Sequence, residues 1–231
     1  MDIPRCHQYN AYLASSEGHK KLRRILKGWV TANPKHVYWQ GLDSVCAPFV
    51  TLSFNNEALA FACIQAFIPR FLNDFFLYDN SPILQEYLAV FAHILSFHDA
   101  ELSSHLSEIE FIPELYAIPW FLTLFTRKLL PLSLLKSLGM TNFVLPDVFP
   151  LDKIYHLWDR ILVRPLSLPC YVGVALLRQL RQTLLASSFN ECILLFSDLP
   201  DIDVDGVAHN LPPPRSSWGE IDIFFRFSRV H

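Results

Sequence analysis

The sequence predicts an all-α fold, and three observations carry this prediction. The 231-residue chain is 52% hydrophobic yet contains only 7 glycines, a composition that favours helices over a turn-rich β fold. Apolar residues recur at helical spacing in several segments, and no segment sustains the alternation typical of a strand. Charged residues make up only 18% of the chain, so the chain can bury a sizeable apolar core, and we expect most of it to be ordered.

The clearest helix is predicted over residues 17–31. Its residues Leu22, Ile25, Leu26 and Trp29 are spaced i, i+3, i+4 and i+7, and basic residues surround this apolar stripe. Asn33-Pro34 is expected to end it. We expect a loop over residues 2–10, because Pro4 restricts the backbone before it and donates no hydrogen bond.

Further helices are predicted along the rest of the chain. One begins at Ser81 as N-cap, with Pro82 in the first helical position. Pro69 is expected to kink or end the helix before it, and Pro113 and Pro119 to bracket a short element. The other predicted helices cover residues 41–53, 57–67, 120–130, 151–162, 171–186 and 190–196.

Composition and charge exclude several function classes. The formal net charge of −3 gives no concentrated basic surface of the kind that nucleic-acid binding needs. The five cysteines are scattered and form no Cys-x-x-Cys pair, which indicates reduced cytosolic thiols. The N-terminus has no apolar signal core, and no apolar run reaches the roughly 18–20 residues of a membrane helix. We therefore expect a cytoplasmic protein with no integral membrane segment.

Other chemistry is poorly supported by the sequence. His93, His98 and His105 are spaced by five and seven residues, which does not place two imidazoles together on one helix face for a metal ion. No Gly-x-Ser-x-Gly elbow or glycine-rich phosphate loop occurs. The chain is thus expected to hold no metal and no nucleotide of its own.

Two short stretches stand out as candidates for function. They are Asp2-Ile3-Pro4-Arg5 and Tyr38-Trp39-Gln40-Gly41-Leu42-Asp43-Ser44. Taken alone, an arginine near a chain start is usually a solvated surface residue, and Tyr-x-Gln-Gly is too short to be specific. Two later blocks, Trp120-Phe121 and Trp158-Asp159, follow them in order.

These four blocks in this order resemble the TBC-domain family of Rab GTPase-activating proteins. The resemblance covers most of the chain, to about Asp203. It implies a two-lobed helical domain that binds Rab-family small GTPases in vesicle trafficking. The family activates the GTPase's own active site and is not itself an enzyme, so the GTP and magnesium would belong to the Rab partner.

The resemblance also implies roles for individual residues. Arg5 matches the family's arginine finger and Gln40 its glutamine finger, with Asp2 orienting the Arg5 guanidinium and Tyr38 and Gly41 shaping the loop that presents Gln40. Both residue types suit GTP hydrolysis. An arginine stabilises charge on the phosphoryl oxygens, and a glutamine amide can donate and accept to orient a water.

The sequence departs from the family pattern in three places. Members of the family carry helices before the Asp-x-x-Arg block, so we expect an incomplete N-terminal lobe. We assign residues 1–205 to the TBC domain, with an insert near residues 127–147 and a divergent, poorly ordered tail over residues 206–231. These departures indicate a truncated or alternatively spliced form. They leave open a second function, a helical scaffold without activity, and the sequence does not predict the oligomeric state.

Overall fold

The computed structural model describes residues 3–127, 149–197, 199–200, 202–203 and 206. In this part of the chain the secondary structure is helical, and the β contact is an isolated bridge between His36 and Leu77. The all-α prediction is confirmed. The helices are α1 Ser16–Ala32, α2 Leu42–Leu52, α3 Glu57–Phe71, α4 Ser81–His98, α5 Ala100–Glu108, α6 Pro113–Tyr116, α7 Ile118–Thr123, α8 Leu151–Leu162, α9 Leu168–Gln179, α10 Arg181–Leu185 and α11 Phe189–Ser197, with 3-10 turns at Ile3–Arg5 and Asn73–Phe76.

Several predicted boundaries are wrong. The N-cap of α4 is Asn80, which leaves Ser81 as its first helical residue. Helix α3 continues through Pro69 to Phe71, and the segment predicted as one helix from residue 171 is divided between α9 and α10. The opening segment, expected to be a loop, contains the 3-10 turn Ile3–Arg5. Its residues Ile3, Cys6 and His7 are buried, which anchors the start of the described chain.

The described helices form two groups, as the two-lobed prediction requires. Helices α1, α2 and α3 contact one another, and α2 is central because every residue from Leu42 to Pro48 is buried. Helix α4 packs against α5, α6, α7 and α9 in the second group, and α5 packs against α10. The groups meet where α2 contacts α7, and their buried apolar side chains form one continuous core.

Aromatic side chains join the later helices to these groups. Trp158 of α8 stacks on Phe67 of α3, with ring centroids 4.7 Å apart, and lies 5.6 Å from Phe49 of α2. In the second group, Phe196 of α11 packs on Tyr116 and Trp120, at 5.0 and 5.8 Å. The two tryptophans singled out in the later sequence blocks are therefore core residues.

The predicted insert, apart from Arg127, and the predicted tail, apart from Gly206, lie outside the described residues, as does Asp2. Within the described ranges, none of the helices combines the length and the apolar character needed to cross a membrane.

Candidate functional site

The loop that carries Gln40 is tied to a neighbouring segment of the chain. The backbone N–H of Val37 donates to the Phe76 carbonyl at 2.8 Å, and the Trp39 indole Nε1 donates to the Leu77 carbonyl at 2.7 Å. Tyr38 is half-buried and packs against the core, whereas Gln40 is exposed. The loop is thus fixed on both sides of Tyr38 while it holds the Gln40 side chain at the surface.

Gly41 connects this loop to α2 and is confined by its surroundings. It is the N-cap of the helix and has φ +113°, a conformation that L-amino acids rarely adopt. A β-carbon at this position would lie 2.7 Å from Thr123 Cγ2 of α7, which is closer than van der Waals contact. The Gly41 N–H donates to the buried Asp43 Oδ1 at 3.2 Å. Only glycine fits here without displacing either the loop or α7.

The segment that carries Arg5 reaches the same end of α2. The Cys6 N–H donates to the Ile3 carbonyl at 3.1 Å, which closes the 3-10 turn that contains the Arg5 backbone. The Cys6 Sγ then lies 3.9 Å from the Ser44 Oγ, in the first turn of α2. The chain next to Arg5 and the chain next to Gln40 are therefore brought together at one helix start, although 38 residues separate Cys6 from Ser44.

A buried histidine lies directly after this turn. His7 is fully buried, and its Nδ1 is 2.9 Å from the Tyr9 hydroxyl, which in turn donates to the Phe149 carbonyl at 3.4 Å. Burial lowers the pKa of His7 from 6.5 to about 4, and the positive charge of Arg127 contributes to the shift. The imidazole is therefore neutral at pH 7 and acts as a packing group behind the 3-10 turn.

Four residues that support the Gln40 loop were not predicted as its contacts from the sequence. Asp43 had a local signal, since an acid in the first turn of a helix commonly bonds to backbone N–H groups there. Phe76, Leu77 and Thr123 carried none, because their contacts with the loop depend on how distant segments pack. The roles predicted for Arg5, Gln40, Asp2, Tyr38 and Gly41 remain predictions.

Comparison with known proteins identifies the family. A profile of the Rab-GTPase-TBC domain matches residues 1–138. The TBC domain-containing protein kinase-like protein of Homo sapiens is 59% identical over 205 residues, which cover 89% of this chain and 21% of that protein. The protein of the same name from Dictyostelium discoideum is 38% identical over 88% of this chain and 18% of its own length. This chain thus spans about a fifth of the length of these relatives.

A solved structure shares the fold. The Ypt/Rab-GAP domain of Gyp1p superposes with a TM-score of 0.71 at 17% identity, covering 100% of this chain and 72% of that one. The family predicted from the four sequence blocks is confirmed. The chain belongs to the Rab-GTPase-TBC domain family.

Proposed function

We propose that this chain accelerates GTP hydrolysis by a Rab-family GTPase, with Arg5 and Gln40 acting in trans on the partner's GTP. Membership of the TBC family supports the partner class. The residue assignment rests on the Cys6–Ser44 contact of 3.9 Å. Cys6 directly follows Arg5, and Ser44 lies in the first turn of the helix that follows Gln40, so the contact joins the two segments that carry the candidate fingers. In this proposal the protein is cytoplasmic, is recruited to membranes through the Rab and acts in vesicle trafficking.

Gln40 would orient the attacking water. Its amide can donate and accept at once, so it can align a water with the γ-phosphate without changing protonation state. Such a role requires a fixed backbone, because a water misplaced by about 1 Å loses about 10²-fold in rate. The backbone of the loop is held by the hydrogen bonds of Val37, Trp39 and Gly41.

Arg5 would stabilise the charge that develops on the transferred phosphoryl group. Its guanidinium is planar and permanently charged, and an arginine finger is typically worth about 10³–10⁵ in rate. Such a finger needs a fixed backbone, and the burial of Ile3, Cys6 and His7 around Arg5 supports one. In the proposal Asp2 orients this guanidinium, while Tyr38 and Gly41 hold the loop that presents Gln40.

Single-turnover GTP hydrolysis by a panel of Rab GTPases tests the proposal. The parent chain is compared with Arg5→Ala and Gln40→Ala, and with Arg178→Ala and Gln85→Ala as controls at exposed positions of α9 and α4. We expect at least one Rab to be stimulated, with about 10²-fold or greater loss in each finger variant and none in the controls.

Two results would contradict the proposal. If a Rab binds but the folded, helical chain does not stimulate it, the protein is the inactive scaffold that the sequence left open. If stimulation survives both finger substitutions, the chain is an activator but Arg5 and Gln40 are not its catalytic groups. Circular dichroism of each variant establishes that the fold is intact.

A further inference from the structure

Two large aromatic side chains are exposed beside the Gln40 loop. Trp39, the residue directly before Gln40, is 38% exposed, and Tyr78 is 84% exposed. Aromatic side chains of this size usually bury most of their surface in the fold. Exposed aromatic residues in proximity, next to a candidate site, suggest a surface that a partner covers.

Hydrogen bonds hold these two residues near each other. The Trp39 indole donates to the carbonyl of Leu77, the residue directly before Tyr78, at 2.7 Å. Leu77 also forms the isolated antiparallel bridge with His36, and the Val37 N–H donates to Phe76. The backbone that carries Tyr78 is therefore fastened to the backbone that carries Trp39 and Gln40.

The position of Trp39 determines what would cover it. Consecutive Cα atoms are about 3.8 Å apart, so any protein whose bound nucleotide is reached by Gln40 also lies over or beside Trp39. This step rests on the proposed function, in which that protein is a Rab GTPase. Because Tyr78 is fastened to the same loop, the same partner surface extends to it.

We propose that Trp39 and Tyr78 form an aromatic docking surface for the apolar part of a GTP-bound Rab that surrounds its nucleotide. Tryptophan and tyrosine are enriched among the residues that dominate interface energetics, since they bury much area for the few torsions they immobilise. The anchored indole of Trp39 further reduces that entropic cost. Tyr78 acts on Rab binding and leaves the hydrolysis step to the fingers, whereas Trp39 also holds the Gln40 loop through its bond to the Leu77 carbonyl.

This assignment separates two kinetic effects. Tyr78→Ala should raise the half-saturating concentration of the chain in single-turnover hydrolysis by about tenfold or more, with the rate at saturation within about twofold of the parent. Trp39→Ala should raise it as well. Gln40→Ala should lower the rate at saturation instead.

Phe97→Ala is the matched control. Phe97 is 85% exposed, as Tyr78 is, but it lies at the far end of α4 from Tyr78, about 24 Å along the helix at 1.5 Å per residue. We expect its half-saturating concentration to equal that of the parent. Biolayer interferometry with GTP-loaded Rab measures the same differences as dissociation constants, so the test does not require hydrolysis.

Failure of the docking surface and failure of the proposed function give different results. If a Rab is bound or stimulated and the Tyr78→Ala and Trp39→Ala chains keep parental half-saturation and affinity, the docking surface is wrong and the proposed function stands. If no Rab in the panel is bound or stimulated by the folded parent chain, the proposed function fails, and the docking surface fails with it.

Discussion

Gly41 and Thr123 lie so close together that a β-carbon at position 41 would be 2.7 Å from the Thr123 Cγ2. Gly41 precedes α2 in the first helical group, and Thr123 ends α7 in the second. The contact therefore couples the Gln40 loop to the packing between the two groups. Thr123 is itself held by a hydrogen bond from its Oγ1 to the Pro119 carbonyl at 2.6 Å.

Replacing Gly41 by alanine should disturb both stability and activity. The substitution adds a side chain at φ +113° and a contact with Thr123 that only movement can relieve. We expect the free energy of unfolding to fall by about 1–3 kcal/mol, and stimulation of the Rab to fall further as Gln40 is displaced. Urea denaturation and single-turnover hydrolysis measure the two effects.

Gly28→Ala is the control for this change. Gly28 is inside α1, and a β-carbon there would meet a Phe61 ring carbon at 3.5 Å, an ordinary van der Waals distance. Because alanine favours the helix interior over glycine, we expect stability to rise by about 0.5–1 kcal/mol. A Gly41→Ala chain with parental stability and activity would show that the loop tolerates the displacement.

His7 should make stability depend on pH in a defined window. Its pKa is lowered from 6.5 to about 4 by burial, so the unfolded chain takes up a proton there before the folded chain does. The stabilisation is present above pH 6.5 and is lost as the pH falls towards about 4, by about 3 kcal/mol. Urea denaturation between pH 4.5 and 7.5 should give a steeper loss for the parent than for His7→Gln. An equal dependence of stability on pH in the two chains would contradict the assignment of this effect to His7.

Trp158 should stabilise the fold through a single buried hydrogen bond as well as through stacking. Its Nε1 donates to the Leu124 carbonyl at 2.8 Å, and Trp158→Phe would leave that carbonyl buried without this donor. We expect a loss of about 1–3 kcal/mol in the free energy of unfolding, measured by chemical denaturation.

Trp39→Phe removes a similar bond, from the Trp39 indole to the Leu77 carbonyl, at a position that is 38% exposed. Water can replace the lost donor there, so Trp39→Phe should lower the free energy of unfolding by less than about 1 kcal/mol. Equal losses in the two variants would show that burial does not determine the effect.

Glu110 occupies a position that favours glycine at the end of α5. Its φ is +60°, its N–H donates to the Ser107 carbonyl at 3.0 Å, and the Phe111 N–H donates to Leu106 at 2.8 Å. This pattern is a Schellman motif, whose left-handed residue is most often glycine. Glu110→Gly should raise stability by about 0.5–1 kcal/mol, whereas Glu108→Gly, in the last helical position, should lower it. Thermal denaturation distinguishes these outcomes.

Helix α1 shows what local pattern alone can predict. Its apolar stripe, the Ser15 hydroxyl that accepts from the Gly18 N–H at 3.0 Å, and Asn33-Pro34 after its end are all local signals, and the predicted helix over residues 17–31 matches Ser16–Ala32. The finger motifs were also visible in the sequence, because they are short and contiguous. The contacts of those motifs were not.

The apolar run after Trp120 shows where local pattern fails. It predicts a helix over residues 120–130, yet α7 ends at Thr123, and Leu124 and Phe125 have φ of +46° and +66°. Trp158 lies 34 positions away and donates its indole N–H to the Leu124 carbonyl, just after the end of α7. The sequence of residues 120–130 gives no local signal for that bond.

The sequence by itself determined the helical class, the family and the identity of the candidate fingers, because helical periodicity and short motifs are encoded by neighbouring residues. Only the tertiary structure decided where α7 ends, why position 41 must be glycine and which residues surround Gln40. Each of these depends on atoms from segments far apart in the chain, such as Cys6 with Ser44 and Gly41 with Thr123, whose proximity is created by the burial of a shared core.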